Sequence, residues 1–138
     1  MTSKIKKANY PKVTVLCCFV CLLLFLLAGC NSANGAFNKA QIIIEESELS
    51  SLYYEFASDG SYIRIDTNPL DFKDHYNSDA LQLVKDVNNA LGFSESLYEK
   101  MILTRALDGM QSDENENFKV SWTYHPDQGL NVFYEKKK

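Results

Sequence analysis

The most reactive side chains of this sequence are thiols, and one of them has distinctive neighbours. Of the four cysteines, three lie in the apolar run Val13–Leu27, whereas Cys30 follows that run directly after Ala28 and Gly29. A cysteine reacts as its thiolate, and small residues before it let an extended backbone fit a narrow protease cleft. This combination indicates covalent modification of Cys30 beside a cleavage site.

The first thirty residues resemble the signal peptide of bacterial lipoproteins. A basic stretch over residues 4–12 precedes an apolar run of signal-peptide length. The run ends in Leu-Ala-Gly-Cys at residues 27–30, which matches the Leu-small-small-Cys lipobox of that family. The resemblance implies that residues 1–29 are removed and that Cys30 carries a diacylglyceryl group. Two acyl chains, at about 0.8 kcal/mol per buried methylene, hold a protein stably on a membrane.

Two other interpretations of this segment are open. Residues 13–30 are 18 residues, about 27 Å as a helix, which is the length of a short transmembrane anchor. A secretory peptide cut elsewhere is the other alternative. In both anchored interpretations the lysines stay cytoplasmic, so the remaining chain lies on the extracytoplasmic side. We therefore expect a membrane partner through Cys30 and a protein partner in the envelope or outside the cell.

Composition excludes several functional classes for the mature chain. Residues 30–138 carry 10 Lys and Arg against 18 Asp and Glu, a net charge of −8. This balance argues against a nucleic-acid partner, because phosphate binding needs clustered basic residues. Cys30 would be the one remaining thiol and would be capped by lipid. Disulfide scaffolds, cysteine zinc sites and a cysteine nucleophile are then excluded.

Metal and catalytic patterns are weak. His75 and His125 are far apart and have no paired-histidine spacing, so solvated imidazoles are favoured over a zinc site. Residues 66–71 begin like a calcium loop, but Leu70 offers no oxygen at the fifth position. No G-x-S-x-G or P-loop motif occurs. We predict no metal, no cofactor and no enzyme activity; an unrecognised small hydrolase is the least favoured alternative.

Residues 30–38 are small and polar and predict a lipidated cysteine followed by a flexible tether. Residues 39–138 are then a single domain. Within it, residues 48–58 allow two structures. Helical spacing occurs at Leu49, Leu52, Tyr53 and Phe56. We favour a helix there, but a strand joined through an Asp59-Gly60 hairpin turn to the next strand stays open.

Two helices are predicted between residues 78 and 109. Ser78 caps the first, and Gly92 ends it. Its apolar stripe is Ala80, Leu81, Val84, Val87 and Leu91. The second begins at Ser94 or Ser96 and ends at Gly109. Its buried face would consist of Leu97, Met101, Ile102, Leu103, Ala106 and Leu107. The short connection predicts antiparallel neighbours.

The C-terminal third predicts β structure. After an acidic loop at residues 113–117, apolar and polar residues alternate over residues 118–125 and again over residues 130–135, with turn residues between them. This is a β-hairpin, and residues 62–65 add a short strand. We expect an α+β fold in which a small antiparallel sheet packs against the helix pair, with an additional N-terminal helix if residues 48–58 are helical.

Four aromatic residues of the hairpin form the candidate interaction face: Trp122, Tyr124, Phe133 and Tyr134. Exposed aromatic rings are favoured at protein interfaces and also stack on sugars. The favoured function is a small non-catalytic lipoprotein of the cell envelope that contacts another protein. The alternative is a module that binds cell-wall glycan through Trp122 and neighbouring tyrosines. For the rings themselves, the interpretation we favour is the simpler one, that they fill the core.

Overall fold

The structure, a computed structural model, describes residues 33–72 and 77–137. Its helices and strands are α1 over residues 33–45, β1 Tyr54–Phe56, β2 Tyr62–Asp66, α2 Ser78–Ala90, α3 Glu95–Ile102, β3 Gln111–Glu114, β4 Phe118–His125 and β5 Gly129–Lys136. Short 3₁₀ turns occupy Ser51–Tyr53 and Ala106–Asp108. The strands form one antiparallel sheet in the order β1-β2-β5-β4-β3. The predicted α+β class and the C-terminal hairpin are confirmed.

The core lies between the helices and one face of the sheet. Six alternating residues of β4 and β5 are buried there: Phe118, Val120, Trp122, Leu130, Val132 and Tyr134. The register places Trp122 opposite Val132 and Val120 opposite Tyr134, so the buried side chains of the two strands meet across the ladder. The alternation read from the sequence therefore orients the hairpin correctly.

The predicted tether at residues 30–38 is wrong for its described part. Residues 33–38 are helical and belong to α1. Phe37, Ala40 and Ile44 have helical spacing and are fully buried in the core. Their apolar stripe is narrow and lies among small polar residues, and this composition is also typical of a flexible linker.

The helix favoured for residues 48–58 is wrong, and the hairpin alternative is confirmed. β1 pairs with β2, and Tyr54 and Phe56 pack against the core from the same side as the buried residues of β2. The turn between the strands contains Asp59 and Gly60, and Gly60 has a φ of +67°. The spacing of the aromatic residues fits the period of a helix and also that of a strand, and pairing with β2 decided in favour of the strand.

The cap of α2 is Asn77, one residue before the predicted Ser78. The Asn77 side-chain oxygen accepts hydrogen bonds from the backbone N–H groups of Asp79 and Ala80, both at 3.0 Å. Two of the otherwise unpaired N–H groups at the helix start are thereby satisfied. At the other end Gly92 has a φ of +77°, as the predicted stop requires.

We expect Asn77→Ala to lower the free energy of unfolding by about 0.5–2 kcal/mol, because both capping hydrogen bonds are lost. Ser78→Ala is the matched control, since the Ser78 hydroxyl makes a surface hydrogen bond at 3.4 Å to the side chain of Asp79 and does not cap the helix. Urea unfolding followed by circular dichroism measures both. Equal losses for the two variants would contradict the assignment of the cap.

α3 is shorter than predicted, because it ends at Ile102 and not near Gly109. The Thr104 hydroxyl donates to the carbonyl oxygen of Lys100 at 2.8 Å and accepts from Nε1 of Trp122 at 2.8 Å. A side chain that satisfies a terminal carbonyl competes with continuation of the helix. The buried indole thus holds Thr104 where the helix ends, and this contact joins residues 18 positions apart in the sequence.

The predicted acidic loop at residues 113–117 is also corrected. Its first two residues belong to β3, an edge strand that pairs with β4. The turn that follows is organised by Asn115, whose side-chain oxygen accepts from the N–H groups of Asn117 and Phe118 at 3.0 and 2.9 Å. The Asn115 amide donates to the carbonyl of Leu91 at 3.0 Å and so ties the turn to the end of α2.

Candidate functional site

The four aromatic residues of the predicted interaction face do not share a face. Trp122 and Tyr134 point toward the helices and are 4% and 0% exposed, so neither ring is accessible to a partner. Phe133 lies on the opposite side of the sheet, where its ring stacks on Tyr62 with centroids 4.6 Å apart. Tyr124 is 38% exposed near the end of β4. The predicted face is therefore corrected, and Tyr124 and Phe133 are its accessible members.

The polar groups of the two buried rings are satisfied inside the domain. Trp122 donates its indole N–H to Thr104, and the hydroxyl of Tyr134 donates to the side-chain oxygen of Asn88 at 2.8 Å. Burial raises the pKa of Tyr134 well above its ordinary value. Both side chains are structural, because a buried and fully paired polar group is not available for binding.

A groove of about 570 Å³ opens beside the turn of the terminal hairpin. Its walls come from the first half of α2, the last turn of α3 and its continuation, and the hairpin. The apolar lining includes Leu81, Tyr98, Met101, Leu103, Pro126 and Leu130. Tyr124 also lines it, so the groove contains one member of the predicted interaction face. Its volume lies within the range of about 300–1,000 Å³ that is typical of binding pockets.

Large apolar side chains are exposed at the end of α3 and in the segment that follows it, and two of them, Ile102 and Leu103, line the groove. We call Ile102, Leu103, Leu107 and Met110 the apolar rim. Leu107 is 97% exposed, Met110 74% and Leu103 73%. Helical periodicity predicted Ile102, Leu103 and Leu107 to be buried, which is wrong, because the covered face of α3 carries Leu97 and Met101 and even Ile102, within the helix, is 45% exposed. Several large apolar side chains exposed within one short segment indicate a binding surface more often than a single surface leucine does.

Polar groups in the groove are few and none is acidic. Thr67, Asn77, Thr104 and Arg105 line it, whereas its described lining contains no carboxylate, imidazole or thiol. Arg105 pairs with Asp108 at 3.2 Å, outside the lining. Hydrogen bonds from the backbone N–H and the guanidinium of Arg105 hold the pKa of Asp108 below its ordinary value. The segment that carries the apolar rim therefore also contains one cation and one carboxylate, which form an ion pair.

The open face of the sheet is polar with one aromatic pair. Arg64 donates to the carboxylate of Asp66 and to the side-chain oxygen of Asn131, both at 3.1 Å. Tyr62 and Phe133 form the stacked pair beside this network. This face is formed by β2 and β5 and lies across the sheet from the core. It is a second, flatter surface.

Asp66 and His125, which the sequence analysis weighed and disfavoured as metal ligands, accept hydrogen bonds from other groups of the domain. The Asp66 carboxylate also accepts from the backbone N–H of Asn68 at 3.0 Å, and Nδ1 of His125 accepts from the N–H of Asp127 at 3.2 Å. His75 lies outside the described residues. Within the described part of the chain, no group of three or more His, Cys, Asp or Glu side chains is arranged to hold a metal ion.

Comparison with known proteins found no matching family, curated protein or solved structure. Among residues 33–72 and 77–137, no helix has both the length and the apolar character that crossing a membrane requires. The lipobox and Cys30 precede the described residues. Sequence reasoning did not predict that the rim residues would be exposed. The local signal for a shorter helix was the pair of weak helix formers Thr104 and Gly109, which lie on either side of Leu107.

Proposed function

We propose that this chain is a small lipoprotein of the bacterial cell envelope, anchored by a diacylglyceryl group on Cys30, whose domain binds another protein without catalysing a reaction. The lipobox at residues 27–30 supports the anchor. The domain lies on the extracytoplasmic side, because the basic residues precede the apolar run.

The observation that carries the binding role is the apolar rim beside the groove. Leu103 lines the groove and is 73% exposed, and Leu107 and Met110 follow it in the sequence and are 97% and 74% exposed. Keeping such side chains in water costs about 25 cal/mol for each Å² of apolar surface, a cost that burial against a partner removes.

The anchor is tested by replacing Cys30. In cells fed an alkyne-tagged palmitate, we expect the parent chain to carry the tag and Cys30→Ala to carry none, because the acylated sulfur is gone. Intact mass should show a parent chain that begins at Cys30 with a lipid adduct. Cys21→Ala is the control and should retain the tag, since this cysteine lies within the segment that is removed. A tagged Cys30→Ala chain, or a parent chain intact from Met1 without lipid, would overturn the proposed anchor.

A second candidate is glycan binding by the open face. The observation in its favour is the stacked pair of Tyr62 and Phe133, since sugars pack on aromatic rings. Trp122, the ring first considered for this role, is buried and cannot serve. Retention on purified cell wall that is lost in Phe133→Ala and kept in Leu107→Asp would favour this candidate over the groove.

A further inference from the structure

The outer edge of β1 carries backbone groups that the ladder with β2 does not use. β1 is the first strand in the order of the sheet and pairs on one side only. The N–H of Ala57, directly after β1, donates to a carbonyl of β2 at 3.1 Å, and in an antiparallel pair the hydrogen-bonded positions alternate. Glu55 therefore bonds to β2, whereas the N–H and C=O groups of Tyr54 and Phe56 point outward.

The other side of β2 shows the same alternation. The N–H of Thr67 donates to the carbonyl of Leu130 at 3.0 Å, and the N–H of Lys136 donates to the carbonyl of Ser61 at 3.2 Å. Odd-numbered residues along β2 thus bond to β5, which leaves Arg64 at its centre to bond to β1. Among the described residues, none hydrogen-bonds to the outward groups of β1, so these groups are left to water.

The opposite edge of the sheet is partly blocked. The N–H of Asn115 donates to the carbonyl of Phe118 at 2.9 Å, so by the same alternation Ser112 and Glu114 of β3 face outward. The N–H of Glu114 donates to the Asp113 carboxylate at 2.8 Å and is no longer available to an added strand. Charged side chains commonly protect sheet edges in this way. β1 is therefore the edge at which both outward N–H groups are unused.

A recess of about 280 Å³ beside β1 determines which charge an added strand should carry. Nη2 of Arg64 lies 3.1 Å from the Asp66 carboxylate, and Nη1 lies 3.8 Å from that of Glu55. One guanidinium is thus shared by two carboxylates, and a further cation would compensate the remaining negative charge. The described lining of the recess, none of which lines the groove, is Ser51, Leu52, Tyr54, Glu55, Arg64 and Asp66.

A second copy of this chain is a poor occupant of the edge. In the antiparallel register that uses all the outward groups, Tyr54 of one copy faces Phe56 of the other. The two Glu55 side chains then lie directly opposite each other, in a non-hydrogen-bonded pair, where side chains come closest. Like charges in this position destabilise a sheet, whereas a cation opposite Glu55 gives a favourable cross-strand pair.

We propose that β1 is a docking edge for an extended, basic segment of a partner protein, which adds to the sheet as a further antiparallel strand. The backbone of the segment bonds to the outward groups of Tyr54 and Phe56, and its apolar side chains pack beside these two rings, whose centroids are 5.4 Å apart. A Lys or Arg opposite Glu55 enters the recess. In this mode of recognition the backbone supplies affinity and the side chains supply specificity. The inference needs neither the anchor at Cys30 nor the groove.

The test fuses a probe strand to the C-terminus of the full chain, studied in detergent micelles. β5 ends at the same end of the sheet as β1, and the added strand would lie three strand spacings from β5, about 14 Å. A Gly-Ser linker of about twelve residues spans about 19 Å and is long enough. The probe is Thr-Val-Lys-Val-Thr, with Lys opposite Glu55, and the matched control probe is Thr-Val-Glu-Val-Thr.

Hydrogen exchange of single backbone amides, followed by mass spectrometry, is the measurement. We expect the Lys probe to slow exchange of the Tyr54 and Phe56 amides about tenfold and the Glu probe to slow it less than about twofold. Glu55→Lys should reverse this preference, so that the Glu probe protects the two amides. Glu55→Gln should make the two probes equal and replaces the reversal if urea unfolding shows that Glu55→Lys is destabilised.

Each other result overturns the proposal. No slowing with either probe would remove the docking edge, and equal slowing with both in the parent chain would remove the preference for a basic segment. Slowing confined to Ser112 and Glu114 would assign the strand to the other edge. In the unfused chain, slowing that rises with protein concentration would assign β1 to self-association. Exchange of Tyr54 and Phe56 as slow as that of Glu55 in the unfused chain would show that the outward groups are already paired.

Discussion

Trp122→Ala is expected to lower the free energy of unfolding by about 3–5 kcal/mol, the usual cost of deleting a large buried ring. The ring is 4% exposed and packs in the core between β4 and α3. Its loss leaves a cavity and also removes the indole N–H, from which the Thr104 hydroxyl accepts a hydrogen bond at the end of α3. A domain of this size has a total stability of about 5–15 kcal/mol, so this loss is a large share of the free energy of unfolding. Urea unfolding should be followed by circular dichroism, because Trp122 is the only tryptophan and its replacement removes the tryptophan fluorescence signal.

Two further variants separate packing from hydrogen bonding at this position. Trp122→Phe keeps most of the ring but loses the N–H donor, and Thr104→Val keeps the shape but leaves the indole N–H buried without its acceptor. An unsatisfied buried donor costs about 1–3 kcal/mol, so Thr104→Val should lose that much. A loss below about 1 kcal/mol for Trp122→Ala would contradict the buried position and restore the ring as a binding surface.

Gly129→Ala is expected to cost about 2–4 kcal/mol, because two penalties coincide at this residue. Gly129 has a φ of +70°, and this left-handed conformation costs a residue with a side chain about 1–2 kcal/mol. A Cβ there would lie 2.6 Å from Oγ1 of Thr67 and 3.0 Å from Cβ of Asn68. Thr67 is buried and accepts the N–H of Leu130, so relieving the overlap disturbs the start of β5.

Gly60→Ala is the matched control for this prediction. Gly60 has a similar φ of +67°, but a Cβ there would meet nothing within 4 Å. It should therefore carry only the backbone penalty of about 1–2 kcal/mol. Thermal and urea unfolding of the two variants give the comparison. Equal losses would mean that the contact between the hairpin turn and Thr67 is looser than the structure shows.

Sequence patterns predicted the elements whose signals are local. Alternation along residues 118–125 and 130–135 predicted β4 and β5, and the apolar stripe that ends at Gly92 predicted α2. These predictions succeed because a strand or helix with one buried face repeats its apolar residues with a fixed period. The signals were ambiguous at residues 48–58, where the same aromatic residues fit either period, and pairing with β2 decided the outcome.

Less of the candidate site was predictable. Tyr124 is the one residue shared by the predicted face and the groove, whose other walls come from Thr67, Leu81 and the end of α3. No local pattern reports that such distant residues meet. The choice between core and surface for Trp122 and Tyr134 likewise depended on which face of the sheet the helices cover.

The lipobox and its cysteine are read from consecutive residues, because the enzymes that process a signal peptide meet it as an extended chain. The hairpin strands are likewise a property of local order, since alternation directly sets which side chains share a face. The exposed rim is different. Helical spacing predicted a buried face that includes Ile102, Leu103 and Leu107, but the face of α3 that the rest of the domain covers carries Leu97 and Met101 and leaves Ile102 and Leu103 exposed. Which side of a helix is covered depends on how the helices pack on the sheet, and a local pattern does not report it.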